Sequence, residues 1–145
     1  MNRTITLFLL FLSLFTVVGS CDNTSCGCDP VPTPLNQELL QHRWQLDEIA
    51  VDSKVQSSGP DIKDRYTLLF NADGSYQQIL LADNTQFVGK WTFQPNQNNS
   101  AILQLTDHKG DTHTYTVWTL TATQLLYGFF NKDRLFQSYR FTKFP

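Results

Sequence analysis

Between residues 44 and 142, apolar and polar residues alternate in short stretches, each cut off by a turn signal. The clearest is 86–93, where Phe87, Gly89, Trp91 and Phe93 share one face and Val88, Lys90 and Thr92 the other. That period of two belongs to a strand with one covered face. Residues 65–70 repeat it, with Tyr66, Leu68 and Phe70 opposite Arg65 and Thr67. Further strands are predicted at 44–51, 75–81, 101–107, 113–120, 124–130 and 135–142. Between strands stand Asn71-Ala72-Asp73-Gly74, Asp83-Asn84, the Asn/Gln-rich 95–100, Lys109-Gly110-Asp111, Thr121-Ala122-Thr123 and Asn131-Lys132-Asp133. About eight short strands joined by tight turns form an antiparallel meander. Open edges invite aggregation, so a meander of this length is expected to close. The predicted fold is all-β: an up-and-down barrel or half-open cup, its interior filled with side chains or holding one small ligand. A short helix is predicted over 35–42, with Leu35, Leu39 and Leu40 on one face. Residues 52–61 read as a polar loop broken by Gly59-Pro60.

The chain begins MNRTITLFLLFLSLFTVVGSC. Arg3 precedes an apolar run, and Gly19 and Ser20 stand just before Cys21, the layout of a secretory signal peptide too short for a comfortable transmembrane span. The string Val18-Gly19-Ser20-Cys21 resembles the lipobox of bacterial lipoproteins. The resemblance implies cleavage before Cys21, diacylglycerol on its thiol and acylation of the new amine. Several acyl chains hold a soluble domain far more firmly than one. The expected organisation is a signal peptide at 1–20, an acylated cysteine and tether at 21–36, and one β-barrel domain at 37–145. The tether carries Pro30, Pro32 and Pro34 and extended would reach roughly 45 Å. Cys26 and Cys28 lie on it. In an oxidising compartment they are expected as incidental or disulfide-bonded residues, with a soft-metal site as the alternative.

The domain itself contains no cysteine, and the whole chain carries a formal net charge of −2 at pH 7. With no basic patch, nucleic acid is not an expected partner, and a monomer is expected. No Gly-x-Ser-x-Gly, His-Glu-x-x-His or phosphate-binding loop occurs, so no enzyme activity and no cofactor are expected. Asp47 and Glu48, adjacent on a strand, should face opposite sides. His108 and His113 would oppose each other if Gly110-Asp111 were a two-residue turn, which suits two ligands on one metal but not a complete site.

Aromatic residues remain. Tyr66, Tyr76, Trp91, Trp118, Tyr127 and Tyr139 bury apolar surface while offering a polar handle, as a pocket requires, and Arg140 could stack on a ring or meet an anionic headgroup. The same rings would equally serve as packing in a small barrel. Across 42–145, Trp44-x-Leu46, "YTLLFNADGSY" (66–76), Gly89-Lys90-Trp91 and "YRFTK" (139–143) together resemble the lipocalin-like domains of bacterial lipoproteins. Gly-x-Trp sits mid-chain here, whereas lipocalins carry it on the first strand, and their bracing disulfides are absent. The resemblance implies a barrel or cup that binds a small apolar or amphipathic ligand. The expected protein is thus an envelope lipoprotein, anchored through Cys21, facing the periplasm or the surface of a Gram-negative outer membrane. The alternative is a protein-interaction module of the envelope, an inhibitor or assembly factor without small-molecule cargo.

Overall fold

The structure is a computed structural model that describes residues 35–96 and 98–145. The signal peptide, Cys21, Cys26, Cys28 and the tether lie outside the described residues. Nine strands follow in order: β1 Arg43–Val51, β2 Lys54–Ser58, β3 Tyr66–Phe70, β4 Ser75–Leu80, β5 Gln86–Pro95, β6 Ala101–Thr106, β7 Thr112–Leu120, β8 Gln124–Phe130 and β9 Phe136–Lys143. All pair antiparallel in the order β2-β1-β3-β4-β5-β6-β7-β8-β9, and β1 also pairs with β9. That last pairing closes an eight-stranded up-and-down barrel, with β2 as an extra strand beside β1. The all-β barrel predicted from the alternation is the observed fold.

Two elements depart from expectation. The stretch 52–61 contains β2, a strand with no apolar alternation to announce it. It forms because Asp52 and Ser53, both at positive φ, make a tight two-residue turn that lays Lys54–Ser58 along β1. The Asp52 carboxylate and N–H further bond the backbone of Phe136, each at 2.8 Å, tying this turn to β9. The predicted helix is only a 3₁₀ turn, Gln37–Leu40, capped by the Asn36 side chain. Its Leu40 is fully buried, and the Trp44 indole N–H donates to the Leu40 carbonyl at 2.9 Å. This turn plugs one end of the barrel.

Three hairpins share one construction. In Asn71–Ser75, Asp107–Asp111 and Asn131–Leu135, the first residue's N–H bonds the fifth residue's carbonyl and the fourth residue's N–H bonds back to the first. The fourth position sits at positive φ in each: Gly74, Gly110 and Arg134. Gly74 is where the sequence places it.

Inside, the core is continuous. Trp44, Leu46, Leu68, Phe70, Trp91, Phe93, Leu103, Val117, Leu125 and Phe141 are buried in one cluster near the plugged end. They come from alternate positions on their strands, as the period of two demands.

Candidate functional site

Along strand after strand, exposure of the inward residues rises toward the end opposite the plug. On β3, Tyr66 is half-buried above buried Leu68 and Phe70; on β9, Tyr139 stands above Phe141. On β5, Phe87 is exposed, Gly89 half-buried, and Trp91 and Phe93 buried; on β7, the series is His113, Tyr115, Val117. On β4, Leu80 and Gln78 are half-buried above Tyr76; on β8, Phe129 above Tyr127; on β1, Val51 and Ile49 above Leu46. The barrel is therefore packed at one end and open at the other.

All five tyrosines of the chain point inward, Tyr66, Tyr115 and Tyr139 half-buried in the open half and Tyr76 and Tyr127 buried at the top of the core. Tyr115 lies 4.7 Å from Tyr127 and 6.4 Å from Tyr139, ring centroid to centroid, and Tyr127 lies 5.8 Å from Tyr139. Tyr127 also packs at 5.0 Å on Phe141, the top of the core. Tyr66 packs on the same Phe141 ring at 5.9 Å. Tyr139 accepts from the Gln137 amide at 2.7 Å. Burial holds every one of these phenols above the ordinary value: Tyr115 is pushed up to about 12, and Tyr66 and Tyr127 are also raised well above it. For Tyr76, desolvation is reinforced by the negative charge of Asp107. A recess of about 190 Å³ between Tyr115, Phe129, His113, Thr112 and Thr114 opens where β7 and β8 part above the Thr116–Gly128 pair.

The candidate residues divide. Tyr76 and Tyr127, 6% and 2% exposed, are buried in the core, and Tyr66 and Tyr139 above them line the open half. Trp91 does not: it is 5% exposed, packs edge-on to Phe70 at 5.5 Å, and donates its indole N–H to the Asn71 carbonyl at 3.1 Å. It belongs to the floor. Trp118 and Arg140 are on the outside. Trp118 is the extra residue of a β-bulge opposite β8 and meets Phe136 edge-to-face at 4.7 Å on the outer surface. Arg140 lies opposite Glu48 across β1 and β9 and forms an ion pair with it. Tyr115, Phe129, Gln78 and Gln137 belong to the mouth and were not singled out from sequence. Tyr115 shares the parity of His113 and Val117 on β7, the signal that would have found it.

Two further expectations are corrected. The turn between β6 and β7 spans Asp107–Asp111, so His113 pairs with Leu105, and His108 instead stacks on Phe87 at 5.8 Å. Among the described residues, no group of three or more His, Cys, Asp or Glu could hold a metal ion. Asp47 and Glu48 do not face opposite sides. A bulge between Leu46 and Glu48 turns both outward, Asp47 to Arg65 and the Thr142 hydroxyl, Glu48 to Arg140. No family model matches the chain, and no curated protein matches it.

Proposed function

We propose that this chain is a lipid-anchored envelope protein whose barrel takes a small apolar or amphipathic molecule into its tyrosine-lined mouth. The observation that carries the reading is the rise in exposure of the inward residues toward one end. A barrel that needed its rings only for packing would bury them at both ends; this one leaves Tyr66, Tyr115, Tyr139 and Phe129 half-covered above a finished core. The anchor rests on Val18-Gly19-Ser20-Cys21. A protein fixed to a membrane while its mouth samples solution suits capture or shuttling of a poorly soluble molecule.

Titration of an amphipathic fluorescent probe tests the mouth. Saturable binding by the wild type, lost in Tyr139→Ala while the protein still melts cooperatively, is the expected result; no saturable binding would overturn it. For the anchor, Cys21→Ser should end incorporation of labelled palmitate and either release the protein or stall it as precursor. Palmitate labelling that survives the substitution would refute the lipoprotein reading.

One observation favours the alternative, a protein-interaction module. On the outer face, Phe136 lies across Gly128, with Phe130 at 5.3 Å and Trp118 at 4.7 Å, and Phe130 is 70% exposed. A photo-crosslinker at Phe130 that traps one discrete envelope protein, in a chain that binds no probe, would put this reading first.

A further inference from the structure

We infer that the mouth selects an uncharged, ring-bearing ligand that presents hydrogen-bond acceptors to phenol hydroxyls, and that it rejects carboxylates, sulfonates and quaternary ammonium ions. The inference rests on the binding reading above and names the ligand class for that same site.

Among the described residues, no lysine or arginine faces the interior of the open half; Lys143, on the inward parity of β9, stands exposed at the plugged end opposite Trp44. Arg65 is turned outward, where its guanidinium meets the Asp47 carboxylate and the Leu46 carbonyl. Arg140 is held outside by Glu48. Lys90 is exposed on β5, opposite in parity to Gly89 and Trp91. Lys109, Lys132 and Arg134 stand in the rim turns, exposed to water. An anion carried below that rim would lose solvent without gaining a counter-charge, which disfavours its binding. The burial that raises the phenols of Tyr66 and Tyr127 acts on any other anion placed among them. Asp107 adds negative potential beside Tyr76. His113 stands exposed at the rim, on the inward parity of β7 above Tyr115.

A cluster of tyrosines can also hold a cation, provided several ring faces converge on one point. Here the faces are used on neighbouring rings. Tyr115 meets Tyr139 at 90° and Phe129 at 76°, and Phe129 lies nearly parallel to Tyr139 at 15°. What the rings leave for a guest is edges and hydroxyls. The Tyr139 oxygen already accepts from Gln137, so its own proton remains to be donated. Donors without a counter-ion, set among apolar edges, match a carbonyl or ether oxygen on a flat hydrocarbon body.

Four naphthalenes of one shape test this with the full chain in detergent, empty micelles titrated as the blank. They are 2-acetylnaphthalene, 2-ethylnaphthalene, 2-naphthoate and (2-naphthyl)trimethylammonium. 2-Acetylnaphthalene should bind tightest, and 2-naphthoate and the ammonium at least about tenfold more weakly. 2-Ethylnaphthalene, which lacks the acceptor, should fall about three- to tenfold below the ketone. Tyr139→Phe and Tyr115→Phe, which keep the rings, should between them erase that gap while leaving 2-ethylnaphthalene unchanged. Gln137→Arg, which supplies the missing cation at the mouth, should bring 2-naphthoate above 2-acetylnaphthalene. Equal or tighter binding of either ion by the wild type overturns the inference and leaves the binding reading standing. If none of the four binds saturably, the binding reading itself fails and takes the inference with it.

Discussion

Trp91 and Gly89 occupy one face of β5, two residues apart, and a missing side chain beside a large ring leaves either a packed neighbour or a space. The neighbour is there: a Cβ on Gly89 would fall 2.5 Å from the Tyr76 ring and 2.3 Å from the Thr106 carbonyl oxygen. Gly89→Ala should therefore cost about 1–3 kcal/mol, because backbone as well as ring must give way. Trp91→Ala should cost about 3–5 kcal/mol by opening a cavity in the core floor. Denaturation midpoints check both, and probe affinity of any folded Trp91→Ala protein should match the wild type, since the ring lies below the mouth. The tyrosines make a separate prediction at high pH. Their folded values are raised above the ordinary 10.0 chiefly by desolvation. Above pH 10 the unfolded chain thus releases protons that the folded chain retains, and stability falls as pH rises from there through the raised values. It should be insensitive to these groups at neutral pH. The phenolate absorbance should appear together with unfolding rather than ahead of it; full phenolate formation in a still-folded barrel would contradict the buried cluster.

At the scale of strands, the two-residue period carried nearly all that could be read. All eight predicted strands lie within one residue of those observed on at least one boundary, and seven on both, because one covered face writes itself into every second position. What escaped was set by pairing alone. β2 has polar residues on both faces and exists because β1 offers it an edge. A bulge adds one residue without any mark in composition, so the parity of Asp47 and Glu48 was misread, and the outward Trp118 looked like a pocket ring. Ring type found two of the three mouth tyrosines, but neither ring type nor charge tells inside from outside. The bulge in β1 also has an energetic signature. Asp47 accepts from Arg65 on one side and Thr142 on the other, joining the β3 end to β9 across β1. Asp47→Ala should cost about 1–3 kcal/mol, since both partners lose a charge-assisted bond. Asp47→Asn should recover part of it; a neutral effect of Asp47→Ala in thermal melts would mean that backbone pairing alone holds the bulge.

For the molecule as a whole, one packed end and one open end divide the work. The cluster from Trp44 to Phe141 supplies stability without a cysteine, and the open half is free to be shaped by polarity. Stabilising the floor and retuning the mouth are for that reason separable tasks. Substitutions more than about 7–10 Å apart, with no shared partner, should add in their effects.

The seam between β1 and β9 joins residues far apart along the chain, Glu48 to Arg140 across 92 positions and Trp44 to Lys143 beyond them. At its end the Phe144 N–H bonds the Arg43 carbonyl at 2.8 Å. Strand order around the wall is therefore cyclic, and the covalent starting point is arbitrary with respect to the finished barrel. A circular permutant, its residues 145 and 35 linked by a flexible peptide and its backbone cut within 96–100, should rebuild the same wall. It should differ chiefly in rate, because the most distant contact becomes a hairpin and the β5–β6 hairpin becomes the most distant contact. Stopped-flow refolding compares the two chains. A permutant that never regains a cooperative melt would show that the original connectivity, and not the ring of strands, is what encodes the fold.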